Sequence, residues 1–215
     1  MELFDSVADS YDSFFDTPLG KAVYRTESKT IMDMLDPAPG LTALDAGCGT
    51  GIFTELLVSA GMNVTGVDAS TEMLRIAENK PQLKTVRFVR GDVGRIPFDK
   101  DCFDRVLCGF VIEFIQDAGE IITELKRVLQ PGGILVISTL NSKGAWAESR
   151  KGDVFWEKAS FRTVDELKAL GLEDAEFSHC VHFPPNARFM VGMRESIGKL
   201  TKSNNGAAIV AKWQK

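Results

Sequence analysis

The chain has 215 residues, 44% of them hydrophobic and 26% charged, with 19 Gly, 8 Pro and 4 Cys. This usage excludes disorder, collagen-like repetition and a disulfide scaffold, and it allows a core that needs no staple. The formal charge of −5 sits in one place: residues 1–20 carry Glu2, Asp5, Asp9, Asp12 and Asp16 without a Lys or Arg, and the rest balances 25 acids against 25 bases.

With no basic stripe to release counterions, a nucleic-acid ligand is not expected. No stretch reaches the roughly 18 apolar residues of a membrane span, and the start lacks the cationic and apolar runs of a signal peptide. Cys48, Cys102, Cys108 and Cys180 show no paired spacing. A cytoplasmic protein with reduced thiols is the expectation.

In chain order, Leu3, Phe4, Val7, Ala8, Tyr11, Phe14 and Phe15 recur at helical spacing with the acids between them, which predicts one amphipathic helix whose acids face water. Thr17 and Pro18 predict the cap and first turn of a second helix reaching about Leu35, ended by Pro37, Pro39 and Gly40. Short apolar runs then read as strands at Leu41–Asp45, Asn63–Asp68, Thr85–Arg90, Phe103–Gly109 and Gly133–Ser138. Helices are predicted between them at Phe53–Ala60, Thr71–Glu78 and Ala118–Leu129, with Gly61 and the Pro131-Gly132-Gly133 turn as stops. The alternation predicts a parallel sheet covered on both faces.

From Asn141 to Ser160 the chain is polar and aromatic without period and carries Trp146 and Trp156. Thr163-Val164-Asp165-Glu166 is a capping box for a short helix stopping at Gly171. Two last strands are expected at Ala175–Phe183 and Ala207–Trp213, joined through Pro184, Pro185, Asn204, Asn205 and Gly206.

The stretch Asp45-Ala46-Gly47-Cys48-Gly49-Thr50-Gly51 follows a predicted strand and precedes a helix. Glycines at alternate positions let the backbone turn sharply and approach a ligand, in the crevice where open parallel sheets bind nucleotides. Asp68 ends the second strand, where a carboxylate can accept from both ribose hydroxyls. A nicotinamide fingerprint needs G-x-G-x-x-G, but its third glycine position falls on Ile52, so the loop is G-x-G-x-G.

These residues resemble the first motif of the class I S-adenosylmethionine-dependent methyltransferases, and the likeness runs on in order for about 100 residues. Val64-Thr65-Gly66-Val67-Asp68 resembles the second-strand acid, Gly91-Asp92 the acid after the third strand, and Phe103-Asp104-Arg105-Val106 the fourth strand. Leu125 to Gly133 is similar to the family's helix-turn-strand signature. The order of motifs is closest in style to small-molecule enzymes of the ubiquinone/menaquinone-biosynthesis type.

The resemblance implies an α/β, Rossmann-like, seven-stranded and mostly parallel sheet with helices on both faces and an antiparallel last strand. It implies a single domain over residues 1–215: lid helices in 1–40, a cofactor core in 41–140, and substrate-side elements in 141–215 with lid segments at 141–162 and 184–205. S-adenosylmethionine is the implied cofactor. Gly47, Cys48, Gly49 and Gly51 would follow it with backbone, Asp45 would anchor its ammonium, and Asp68 with the adjoining Ala69 would take the ribose. Asp92 and the Val93 amide would read adenine, Met73 would pack on it, and Cys108, Gly109 and Phe110 would line the methyl-donor pocket.

The implied reaction is in-line methyl transfer to a small organic acceptor, in a monomer or homodimer. A base is needed only if the acceptor must lose a proton, and Tyr11, Tyr24, Glu113 and His182 are the candidates, Tyr11 and Glu113 first. Trp146, Trp156 and Phe161 either shape an acceptor pocket or fill the core. His179, Cys180 and His182 are not expected to bind a metal, because on a strand His179 and His182 point to opposite faces. A nicotinamide-linked oxidoreductase and a non-catalytic cofactor-binding module are the competing expectations.

Overall fold

The computed structural model describes residues 2–187 and 191–215. The side chain of Leu3, expected on the aromatic face, and residues 188–190 of the expected second lid segment lie outside the described residues. The N-terminal segment differs from the single helix predicted for it. It forms three short helices, α1 (Glu2–Asp5), α2 (Ala8–Tyr11) and α3 (Ser13–Asp16), before the long α4 (Pro18–Leu35). Thr17 starts α4 as predicted: its Oγ1 accepts the Gly20 N–H at 2.9 Å with Pro18 in the first turn. Gly20 is required there because a Cβ would stand 1.9 Å from the Phe14 carbonyl oxygen.

The core follows as β1 (Thr42–Ala46), α5 (Ile52–Ser59), β2 (Asn63–Asp68), α6 (Thr71–Asn79), β3 (Arg87–Arg90), β4 (Phe103–Gly109), α7 (Ala118–Val128) and β5 (Leu129–Leu140). The remainder gives α8 (Val164–Leu167), β6 (Glu176–Cys180), α9 (Val191–Leu200) and β7 (Ala208–Gln214). The seven strands are ordered β3-β2-β1-β4-β5-β7-β6. The first five pair in parallel, and β7 lies antiparallel between β5 and β6. The expected architecture, including an antiparallel last strand, is the one observed.

Alternate residues of the central strands feed two cores. Leu44, Val106, Leu135 and Ile209 pack on one face, and Ala43, Leu107, Val136 and Val210 on the other. Burial on both faces is why these strands read as continuous apolar runs. Each fully buried Leu contributes about 1.5–3 kcal/mol.

Two boundaries depart from the sequence reading. Strand β5 begins at Leu129 and runs through Pro131-Gly132-Gly133, with a register shift opposite Phe103/Arg105 where a turn is expected. The C-terminal residue holds that stretch in place, since the Gly132 N–H donates to the Lys215 carbonyl and the Lys215 N–H to the Gly133 carbonyl. The linker between the last two strands contains α9, a helix not among the predicted elements. No helix among the described residues is long and apolar enough to cross a membrane.

Candidate active site

In the strand order β2-β1-β4 the connections leave β1 in opposite directions, and the loop after β1 stands at that switch point, where parallel sheets open a crevice. The Gly47 and Cys48 N–H groups donate to the Val67 carbonyl at 2.7 and 3.0 Å, which locks the loop to β2. The Gly49 N–H donates to Asp68 Oδ2 and the Ser70 N–H to Asp68 Oδ1, both at 2.8 Å. Burial raises the Asp68 carboxyl above the usual range, and the Ser70, Gly49 and Ala69 amides partly offset it.

The three glycines do different work. All have φ between 53 and 84°, where side chains are strained. A Cβ on Gly47 would meet Val111 at 2.3 Å and one on Gly51 would meet Leu83 at 2.5 Å, so these two serve packing. A Cβ on Gly49 would meet only Met73 Sδ, at 4.0 Å. Gly49 therefore opens a cradle that a side chain would fill.

The cradle belongs to a cavity of about 180 Å³ lined by Gly47, Cys48, Gly49, Asp68, Ala69, Met73, Asp92, Val93, Gly109 and Phe110, together with Tyr11. Three expected cofactor residues are not in its wall. Asp45 is 2% exposed beneath the loop and takes the Thr54 hydroxyl at 2.6 Å, with burial raising its carboxyl to about 7. Gly51 turns toward Leu83 at the start of α5. Cys108 is buried in the sheet core because alternate residues of β4 face opposite sides. The pocket end of β4 is instead Gly109 and Phe110, the latter held at φ 57°, a strain that marks functional positions.

Phe4, Tyr11, Phe15, Phe53, Phe110 and Phe114 also line a second cavity of about 550 Å³, so the two lie side by side and share these walls. Its walls are aromatic. Phe15, Tyr24, Phe53 and Phe110 form a ladder with successive centroids 5.9, 6.3 and 6.0 Å apart. Phe114, Phe155 and Trp156 pack edge to face or tilted on the other side. Trp146 and Trp156 line this cavity, and Trp146 is fixed by its Nε1–H donating to the Phe183 carbonyl at 2.7 Å. Phe161 lies outside the lining and packs edge-on to Trp156 at 6.3 Å.

Of the candidates for proton transfer, the structure brings Tyr11 and Glu113 to this cavity and leaves Tyr24 and His182 outside its lining. Tyr24 donates to the Ile52 carbonyl at 3.4 Å. His182 contacts Glu195 Oε2 at 3.2 Å, and that hydrogen bond raises its pKa. Burial, and then Glu113, push the Tyr11 hydroxyl far up, so it remains a donor at neutral pH. Glu113 is 1% exposed. Burial raises its carboxyl to about 7.

Sequence reasoning missed Glu27 and Arg150. Glu27 is 7% exposed, lines the same cavity and is raised by burial to about 8. The available signal was an acid on the buried stripe Val23, Glu27, Ile31 of α4. Arg150 stacks on the Trp156 ring at 4.0 Å, and its distance in sequence from every motif gave no signal.

The expectation that His179 and His182 face opposite sides does not hold. Strand β6 stops at Cys180, Val181 turns at φ 62°, and both histidines line one polar cavity. Among the described residues no group of three His, Cys, Asp or Glu side chains is placed to hold a metal.

A sequence profile of the methyltransferase domain matches residues 44–137. The chain is 31% identical over 163 residues to demethylmenaquinone methyltransferase of Bacillus cereus strain B4264, covering 73% of this chain and 68% of that one. The chain belongs to the S-adenosylmethionine-dependent methyltransferases. It is 32% identical over 139 residues to malonyl-[acyl-carrier protein] O-methyltransferase of Pectobacterium atrosepticum, a match spanning 65% of this chain and about half, 52%, of that relative. A solved S-adenosylmethionine-dependent methyltransferase from Thermotoga maritima superposes with a TM-score of 0.78 at 21% identity, covering 100% of this chain and 99% of that one.

The residues present suit the family's cofactor, S-adenosylmethionine. The open cradle at Gly49 leaves room beside the backbone, and the Asp68 carboxylate lines the same cavity as a fixed acceptor. The comparisons favour methyl transfer over the nicotinamide-linked alternative.

Proposed function

We propose that this chain transfers the methyl group of S-adenosylmethionine to a small organic acceptor held in the aromatic cavity. The observation that carries this reading is the adjacency of two unlike cavities, a glycine cradle with Asp68 and a larger aromatic one that share six lining residues. Bound in the first, S-adenosylmethionine supplies an activated methyl group on a positively charged sulfur.

The chain's own residues do the rest. Asp68 would hold the ribose, while Asp92 at the rim, with the buried Val93 amide beside it, would read the adenine. Gly49 and Met73 would shape the floor, and the strained Phe110 backbone would set the boundary between cofactor and acceptor. The aromatic walls align the acceptor and keep water away, which is where most of the catalysis lies for a displacement of this kind. Tyr11 would donate a hydrogen bond, and Glu113 would accept a proton where the acceptor must lose one.

Three of the chain's four free thiols are buried, which fits a cytoplasmic setting. Incubation with methyl-labelled S-adenosylmethionine and a panel of phenols, amines, thiols and quinols tests the reading. Label in at least one small acceptor is expected. A label-free panel together with full cofactor binding would favour a non-catalytic binding module instead.

A further inference from the structure

The polar groups of the aromatic cavity are unmatched among themselves. Glu113 Oε2 accepts from the Thr139 hydroxyl at 3.2 Å, but Oε1 is buried without a partner. One terminal nitrogen of Arg150 is likewise buried without a partner, although the guanidinium is caged by Trp156 at 4.0 Å, Trp146 at 5.3 Å and Phe161 at 5.7 Å. Among the described residues, Glu27, Glu113 and Arg150 form no ion pair with one another within 4.0 Å. Buried polar atoms are almost always paired, because leaving one unmatched forfeits its hydration for nothing. The orphaned acceptor and the orphaned donor belong to two residues that line one aromatic cavity, and a single ligand reaching both would satisfy them.

Resting on the methyl-transfer reading, we propose that the cavity selects a ring-sized acceptor bearing a hydroxyl or amine proton together with a carbonyl or carboxylate oxygen. Glu113 faces the protic group and Arg150 holds the oxygen. In the transfer, the acceptor's heteroatom forms the new bond to the methyl carbon. The carbon–sulfur bond breaks with its electron pair left on sulfur, and the acceptor's proton passes to Glu113 Oε1 while its bonding electrons stay on the heteroatom. The positive charge of the donor and the negative charge of the carboxylate disappear together. Glu27, on the same wall, is the second carboxyl close enough to influence this proton.

Calorimetric titration of the full chain at neutral pH with hydroxybenzoates, aminobenzoates, benzoate and phenol tests the proposal without turnover. The molecules with both groups are expected to bind about tenfold tighter than benzoate or phenol, as a second charge-assisted hydrogen bond implies. Glu113→Gln should weaken the hydroxybenzoates about tenfold and leave benzoate within about twofold, whereas Arg150→Met should weaken benzoate and leave phenol within about twofold. S-adenosylhomocysteine, titrated into the same proteins, reports that the fold and the cofactor cleft are intact.

Equal affinity of all four ligand types, or no binding of any while S-adenosylhomocysteine binds, overturns the acceptor inference alone. Failure of S-adenosylhomocysteine to bind the unaltered chain overturns the methyl-transfer reading and the inference with it.

Discussion

Asp68 ends β2 and Glu113 lies in the helical turn that follows β4, and their surroundings give them different work. Asp68 is braced by two backbone N–H groups at 2.8 Å and faces the cradle, so it is a fixed acceptor. Asp68→Ala should weaken S-adenosylmethionine binding by about 1–3 kcal/mol, the cost of removing a charged acceptor from two hydroxyls. Unchanged affinity by calorimetry would place the ribose elsewhere.

Glu113 carries a different signature, because its carboxyl is raised to about 7 by burial. The unfolded chain releases that proton near pH 4.3, so stability is full below that value and falls as the pH climbs to about 7. Glu113→Gln removes the loss, and above pH 7 the variant should be more stable by roughly 3–4 kcal/mol. Urea denaturation at pH 5 and pH 8 measures it, and an equal pH dependence in both proteins would contradict it.

Legibility in the sequence follows the same divide. The Gly47–Gly51 loop and Asp68 could be read because their work is local and backbone-determined. Glu27 and Arg150 could not, since they reach the cavity only through tertiary packing of α4 and of the irregular stretch after β5.

The N-terminal segment shows what periodicity alone cannot resolve. Phe4, Tyr11 and Phe15 do face inward, whereas Phe14 is 39% exposed, and three of the segment's acids do not simply face water. Asp5 Oδ1 accepts from the Ser70 hydroxyl at 2.5 Å, and Asp12 takes the Thr50 hydroxyl at 2.6 Å and pairs with Lys80 at 2.9 Å. Asp9 reaches Arg75 at 2.8 Å. These contacts bind α1–α3 to the rim of the cofactor loop and to α6, and following that curved rim breaks the expected single helix into three. Three of the five surplus acids thus fasten this segment to the core.

Asp5→Ala with Asp12→Ala should loosen it, weakening S-adenosylmethionine binding about three- to tenfold and speeding proteolysis near residue 16, because two charge-assisted hydrogen bonds are lost. The exposed Asp9 pair adds little. Binding and cleavage rates equal to those of the unaltered chain would show that the segment is not a lid.

At the scale of the molecule, strand order explains why one fold serves two ligands. The switch between β1 and β4 opens the cleft for the cofactor, and the three N-terminal helices with the segment after β5 roof the adjoining aromatic cavity. The core order of strands and helices was legible because the central strands β1, β4 and β5 are buried on both faces and most connections carry a cap or a glycine. Helix α9 was missed because its composition is polar and glycine-containing, with an apolar face too weak to mark it, and the 129–133 stretch because its pairing depends on the far C-terminus.

The central claim is that Asp68 and the Gly49 cradle hold the cofactor with its reactive end toward the cavity of Glu113 and Arg150. A crystal structure with S-adenosylhomocysteine tests it most directly. The ribose hydroxyls are predicted on Asp68, the adenine beside Asp92 and Val93, and the sulfur at the junction framed by Tyr11, Phe53 and Phe110. A ligand bound away from the Gly47–Gly51 loop, or one whose sulfur turns from the aromatic cavity, would contradict it.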